Sequence, residues 1–216
     1  MPFFEKAATY LPLLLQGVWL TIIVTITSLV LSTILGLFWA IIGQSKVAAL
    51  RVISRTFIVV IRGLPIIVQL FYIYFVLPQM GIDLTAFESA IIGLGVAYSA
   101  YQAENFRAGI EAVAQGQIEA AYSIGMKDGL VMRRVILPQA FRIALPAYGN
   151  IMIVMLKDSS LASTIAVTEL TRKGQLIASS TFDNITVYTL VAILYLAMSL
   201  PLTYLTRKLE KRRKKR

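Results

Sequence analysis

Long uncharged runs alternate with short charged ones along this chain, and the lengths of the uncharged runs carry the first inference. From Ala7 to Ser45 no charged residue occurs. A helix rises 1.5 Å per residue, so about 20 residues cross ~30 Å of hydrocarbon, and this run is nearly twice that long. Pro12 and the Gln16-Gly17 pair divide it. The part before the pair is expected to lie along the membrane interface, with Pro12 resetting the chain, and the first span is expected over 18–43. Gly63 to Ile82 is uncharged again and predicts a span over 56–77, begun about two turns earlier. Asn184 to Thr206 predicts the last, over 184–206.

Two runs between these are short. Ser89 to Ala103 holds 15 residues before Glu104-Asn105-Phe106-Arg107, and Ile143 to Leu156 holds 14 before Lys157-Asp158-Ser159-Ser160. Extending each through its polar patch predicts spans over 87–107 and 143–167 that carry ionisable groups at membrane depth. The alternative is that one of them is re-entrant. The pattern predicts an all-α membrane protein, one transmembrane domain over residues 1–216 with about five crossings and a polar loop over 109–141.

Composition agrees. Of 216 residues 57% are hydrophobic and 15% charged, and the mean hydropathy is +0.74, too apolar for an ordinary soluble domain. Neither cysteine nor histidine occurs. Disulfide frameworks, thiol nucleophiles, Cys or His zinc sites and Ser-His-Asp triads are thereby excluded, so no catalytic residue and no metal site is expected. The net charge of +10 does not point to nucleic acid. Eight of the 21 basic residues fall in Arg207–Arg216, directly after an apolar run, as in a membrane-flanking tail.

The remaining cations set the orientation. Lys46, Arg51, Arg55, Arg107, Lys127, Arg133, Arg134, Arg142 and the tail place sixteen on one side. Lys6, Lys157, Arg172 and Lys173 place four on the other, with Arg62 at the edge of the second span. Positive residues stay inside, which predicts an external N-terminus and a cytoplasmic C-terminus. No removable signal peptide is evident near Glu5-Lys6. Arg62 is expected to anchor to headgroups or to a neighbouring carbonyl.

The loop then faces the cytoplasm. "IEAAYSIGM" reads as a short helix with a thin side at Ala120-Ala121 and a permissive turn at Gly125, and "LVMRRVI" as a basic amphipathic helix stopped by Pro138. By periodicity alone this is equally a surface helix pair that merely connects two spans. In the block "RGLP", Pro65 permits a kink and Gly63 close helix contact.

Glu119-Ala120-Ala121, Gly125 and Ile136-Leu137-Pro138 resemble the EAA loop of ABC importer permeases. "RGLPIIVQLF", "AYSAYQAENFRAGI" and "LKDSSLAS" resemble blocks of the polar amino acid permeases of that superfamily, so the likeness covers nearly the whole chain; Val135 stands where the loop pattern usually has Ile. The resemblance implies a type I importer permease of a prokaryotic plasma (inner) membrane, working as a pair; a homodimer is expected, with a closely related second permease in place of the twin copy as the alternative. Its coupling helix, with Glu119, Ala120, Ala121, Gly125, Met126 and Lys127, would dock in a cytoplasmic ATP-binding subunit, and an extracytoplasmic binding protein would deliver the amino acid. No G-x-x-x-x-G-K-[ST] occurs here. ATP and magnesium are therefore expected in the partner, with no cofactor on this chain.

An amino acid brings an ammonium and a carboxylate, which need acceptors and donors where helices break. Glu104 and Asp158 supply acceptors. Ser159 and Ser160 supply hydroxyls and a local departure from helix, while Tyr101, Gln102, Asn105, Gln69 and Tyr72 add hydrogen bonds or ring faces. Two carboxylates on one cavity would favour arginine, lysine or histidine. Against this stands a simpler arrangement, in which Glu104 pairs with Arg107 and Lys157 neutralises Asp158. A non-transporting membrane anchor or a passive channel is the competing function class. An anchor has no reason to bury carboxylates, and a channel none to carry a docking loop.

Overall fold

α1 runs unbroken from Phe3 to Gly43 in the computed structural model, which describes residues 3–214. At 41 residues it is roughly 60 Å long, twice the hydrocarbon thickness. Its interior threonines stay satisfied without water by returning their hydroxyls to the preceding turn: Thr21 donates to the Gly17 carbonyl at 3.0 Å, Thr25 to Thr21 at 2.7 Å and Thr33 to Leu29 at 2.7 Å. Trp19 and Trp39, the two tryptophans of the chain, are 20 residues apart on α1. They are separated by about 30 Å, the spacing of two aromatic belts.

Pro12 and Gln16-Gly17 do not divide α1, contrary to the expectation from sequence. The first turns instead pack on α8 (Leu170–Thr181) and the start of α9 (Asn184–Lys214), where Leu14, Leu170, Ile177, Val187 and Leu190 form a core of their own. That packing holds the helix across the one backbone bond a proline removes. Gly17 makes the approach possible, because a Cβ there would stand 2.7 Å from the Leu170 Cα.

The segment expected to be the second crossing is broken. α2 (Ala48–Gly63) ends before Pro65, and α3 (Ile66–Phe71) continues through a π-turn and a 3-10 turn to Met80 at 102° to it. The kink expected at Pro65 is there. The close contact expected at Gly63 is not, since nothing lies within 4 Å of its Cβ position. α4 (Ala86–Glu111) starts with a capping box between Thr85 and Glu88. It runs in the same direction as α1, with Gly95 against Leu31 and Gly36 against Gln102. Between such helices small residues let backbones approach and van der Waals contact hold them.

α5 (Gln115–Ser123) and α6 (Asp128–Val131) form the polar loop. Pro138 does not stop the following helix. A π-turn over Met132–Ile136 widens the coil just before it, and α7 runs on from Leu137 to Asp158, then tightens into a 3-10 helix over Ser159–Ile165.

Among the described residues three helices are long and apolar enough to cross a membrane, and the bent α2–α3 pair passes that test when taken together. α4, 26 residues long, does not pass that test, because glycine, serine and charged residues dilute its apolar content. Lys215 and Arg216 of the basic tail lie outside the described residues. The architecture is that of an all-α, multi-pass membrane protein.

Candidate functional site

The break at the end of α7 carries the first pair of interest. Asp158 closes that helix and Ser159 opens the 3-10 segment, so the departure from α-helix expected at Lys157-Asp158-Ser159-Ser160 is present. Tyr98 of α4, almost fully buried, donates its hydroxyl to Asp158 Oδ2 at 2.6 Å. Ser159 is buried and gives its hydroxyl to the Leu156 carbonyl, leaving half-buried Ser160 as the hydroxyl facing outward from the break. Lys157 makes no ion pair with Asp158 among the described residues.

Glu104 is differently placed. Arg107 binds it one turn away and reaches Glu111 at 2.7 Å on its other side, so the pairing weighed as the simpler alternative exists. On α4, Glu104 and the Asp158 partner Tyr98 are six residues apart. That is about 9 Å along the axis and roughly 240° around it. Tyr98 therefore stands on a different side of α4 from Glu104.

The polar side chains expected around them have different settings, two of them bonded to backbone carbonyls. Asn105 donates to the Ala144 carbonyl of α7 at 3.2 Å. Gln102 has no exposed surface, lies against Gly36, and finds no partner for its amide oxygen or nitrogen. Gln69 donates to the carbonyls of Ile61 and Leu64 at 2.9 and 3.0 Å, replacing the bonds lost at the Pro65 break. Tyr101 is exposed, and Arg62 stands over its ring at 5.3 Å. Tyr72, also exposed, lies in the π-turn after α3.

Sequence reading missed Tyr98 and Glu169. Tyr98 sits inside the block that contains Glu104, but only the fold points it at Asp158. Glu169 has no exposed surface and caps α8, accepting from the amides of Thr171 and Arg172 at 2.9 and 2.8 Å and from the Tyr195 hydroxyl at 2.8 Å. Burial pushes its carboxyl pKa up, against these hydrogen bonds, which pull it down. A lone acid after "LASTIAV" and before "LTR" is the signal sequence offered, as an N-cap.

At the opposite end of the bundle the polar loop presents a firm surface. α5 closes with a Schellman turn: Met126 donates to the Ala121 carbonyl at 3.1 Å and Gly125 to Tyr122 at 2.9 Å, with Gly125 at φ +79°. Ala121 packs inward with Val113, Val131, Ile136 and Ala140, and half-buried Met126 joins them. Glu119, Ala120, Gly125 and Lys127 are exposed. So are two residues not expected there, Tyr122 and Ile124, the latter 78% exposed at the tip. Lys46 reaches Asp128 of α6 at 3.7 Å, tying the α1–α2 turn to the loop. Among the described residues no cluster of acids with metal-binding geometry occurs.

Residues 32–215 match the family described as the inner membrane component of binding-protein-dependent transport systems. The L-cystine transport system permease protein TcyB of Bacillus subtilis is 40% identical over 205 residues, 94% of this chain and 88% of that protein. The glutamine transport system permease protein GlnP of Escherichia coli is 35% identical over 206 residues, 94% of each. The crystal structure of an amino acid ABC transporter with histidines superposes with a TM-score of 0.92 at 39% identity, over 98% of this chain and 99% of that one. An inward-facing MetNI methionine ABC transporter shares the fold, with a TM-score of 0.78 and 22% identity over 92% of this chain and 95% of that chain.

Proposed function

The chain belongs to the inner membrane components of binding-protein-dependent transport systems, and from that premise we propose that it is the permease subunit of an ATP-driven amino acid importer. The observation that carries the reading is the loop at the α5 end. It is a short helix held rigid by its own core and a Schellman turn, presenting Glu119, Ala120, Tyr122, Ile124 and Gly125 outward. A passive connector between two crossings needs neither the core nor the exposed tip. A partner ATPase pushing on such a helix would move α7, because Ile136 and Ala140 belong to the same packed cluster.

The loop end is cytoplasmic in this reading, with the N-terminus outside. The permease pairs with a second copy of itself, receives its amino acid from an external binding protein, and leaves ATP and magnesium to the cytoplasmic subunit. Relatives named for cystine and for glutamine support amino acids as the substrate class. The preference for a cationic side chain rests on Asp158 alone, the carboxylate at the α7 break that enters no ion pair among the described residues. Glu104 is engaged by Arg107.

Reconstitution into liposomes with the ATPase subunit and binding protein tests this. Uptake of labelled amino acid that requires ATP and binding protein is expected. ATP hydrolysis indifferent to both substrate and binding protein would leave only a membrane anchor.

A further inference from the structure

Between α1, α4 and α7 a lateral groove of about 300 Å³ opens on the outside of the bundle, remote from Asp158. Thr33 and Leu37 of α1, Phe106 and Ile110 of α4, and Phe141 and Leu145 of α7 form its walls, over a floor that includes Ala140 and Ala144. Its hydroxyls cancel each other, Thr33 Oγ1 lying 3.0 Å from the Tyr148 hydroxyl, so the lining offers nothing to a polar ligand. None of the expected substrate residues reaches it.

The groove has the length of one leaflet. From Leu137 to Tyr148 it follows α7 for about 16 Å, against ~15 Å for half the hydrocarbon thickness. It begins at the α5 end of the bundle, where exposed Arg133 and Arg134 precede Leu137 by one turn of the π-segment. Neither arginine enters an ion pair among the described residues. The nearest acids on α4, Glu104 and Glu111, are both bound by Arg107, on a face turned more than a quarter of a turn from Phe106 and Ile110. An apolar slot one leaflet deep, with unpaired cations at its headgroup end, fits one ligand chemistry.

We propose that this groove holds an acyl chain of an anionic phospholipid of the cytoplasmic leaflet, with Arg133 and Arg134 meeting its phosphate. The leaflet assignment rests on the orientation proposed above; the site itself does not depend on transport. A bound chain would lie against α1, α4 and α7 together, between the loop core and the Asp158 break.

The chain has no cysteine, so Phe141→Cys, assembled with a cysteine-free ATPase subunit, accepts one fluorophore on each permease copy. Brominated phosphatidylglycerol in nanodiscs is expected to quench it saturably and about five-fold more effectively than brominated phosphatidylcholine. Arg133→Gln with Arg134→Gln should abolish that preference while quenching persists. Leu37→Trp, a substitution at a half-exposed position, should fill the slot and remove the saturable component. Equal, non-saturable quenching by both lipids overturns the proposal, as does a cross-link from Phe141→Cys to a second permease copy. Retention of phosphatidylglycerol by a transporter inactive in uptake would support the lipid site and count only against the proposed function.

Discussion

The Tyr98 hydroxyl donates to Asp158 Oδ2 at 2.6 Å, joining the middle of α4 to the last residue of α7. No cation shares that carboxylate among the described residues. A carboxylate kept at such a position is costly unless something charged visits it. We expect Asp158→Asn to lower arginine uptake more than glutamine uptake, shifting their ratio by about ten-fold, and Tyr98→Phe to raise the KM for both by removing one charge-assisted hydrogen bond, a loss of about 2 kcal/mol. Competition uptake in proteoliposomes reads this directly. An unchanged arginine to glutamine ratio in Asp158→Asn sinks the cationic preference.

Gly17 separates packing from conformation as the reason for a glycine. A side chain there would drive into the Leu170 backbone, with a Cβ 2.7 Å from its Cα, and backbone cannot swing aside as a side-chain end can. Gly17→Leu should push α8 from α1 and destabilise the purified protein by about 3 kcal/mol or more. Gly63→Ala, facing open space, should stay within about 0.5 kcal/mol of the parent. Thermal unfolding in detergent compares them. Equal transitions for both would mean that the α1–α8 seam contributes nothing to stability.

The uncharged runs Ala7–Ser45 and Asn184–Thr206 fall on the long helices α1 and α9, because hydrocarbon penalises charge regardless of the fold around it. Where helices break was legible only when the break was itself chemical, as at Pro65. Pro12 and Pro138 misled for the opposite reason: packing on α8 and a π-turn, respectively, absorb the lost backbone bond, and neither compensation is written beside the proline. The ligand residues suffered most. Gln69 bonds the carbonyls freed at a backbone break, while Gln102 is buried with its amide unpartnered, and a single chain read in order does not distinguish these two settings. In the loop, the Glu-Ala-Ala pattern marked the surface, but only the fold turns Ala121 inward and Ile124 outward.

Glu169 holds α8 between α1 and α9. Its two oxygens serve different amides, Oε1 that of Arg172 and Oε2 that of Thr171, while Oε2 also takes the Tyr195 hydroxyl. Glu169→Gln forfeits one of these acceptors and should cost about 1 kcal/mol at neutral pH or less. Glu169→Leu strands them all and should cost about 3 kcal/mol. The pH dependence has a definite sign. Burial raises the folded carboxyl's pKa above its ordinary 4.5, so its contribution is complete below that value and declines as pH rises through the raised pKa. The stability gap between parent and Glu169→Gln is therefore expected to narrow on going from pH 4 upward. A gap that widens with pH would mean that the hydrogen bonds outweigh burial at this site.

Ala120 and Ala121 are neighbours in sequence with opposite environments, and this makes the docking surface testable. Ala120 is exposed, while Ala121 is buried in the loop core. Ala120→Trp should leave membrane insertion and thermal stability unchanged yet prevent the ATPase subunit from seating, because a close-packed contact tolerates no added ring. Ala121→Trp should instead disrupt the core against Val131 and Ile136 and lower stability as well. Ile124, 78% exposed at the tip, is the anchor expected to fill a hollow on the partner, and Ile124→Ala should weaken co-purification of the ATPase by about 2 kcal/mol. Gly125→Val, forced into φ +79°, should strain the Schellman turn by about 1–2 kcal/mol and misdirect that tip. Pull-down of the ATPase together with ATP-driven uptake distinguishes these effects. Full association and normal uptake in both Ala120→Trp and Ile124→Ala would place the ATPase contact elsewhere on the molecule.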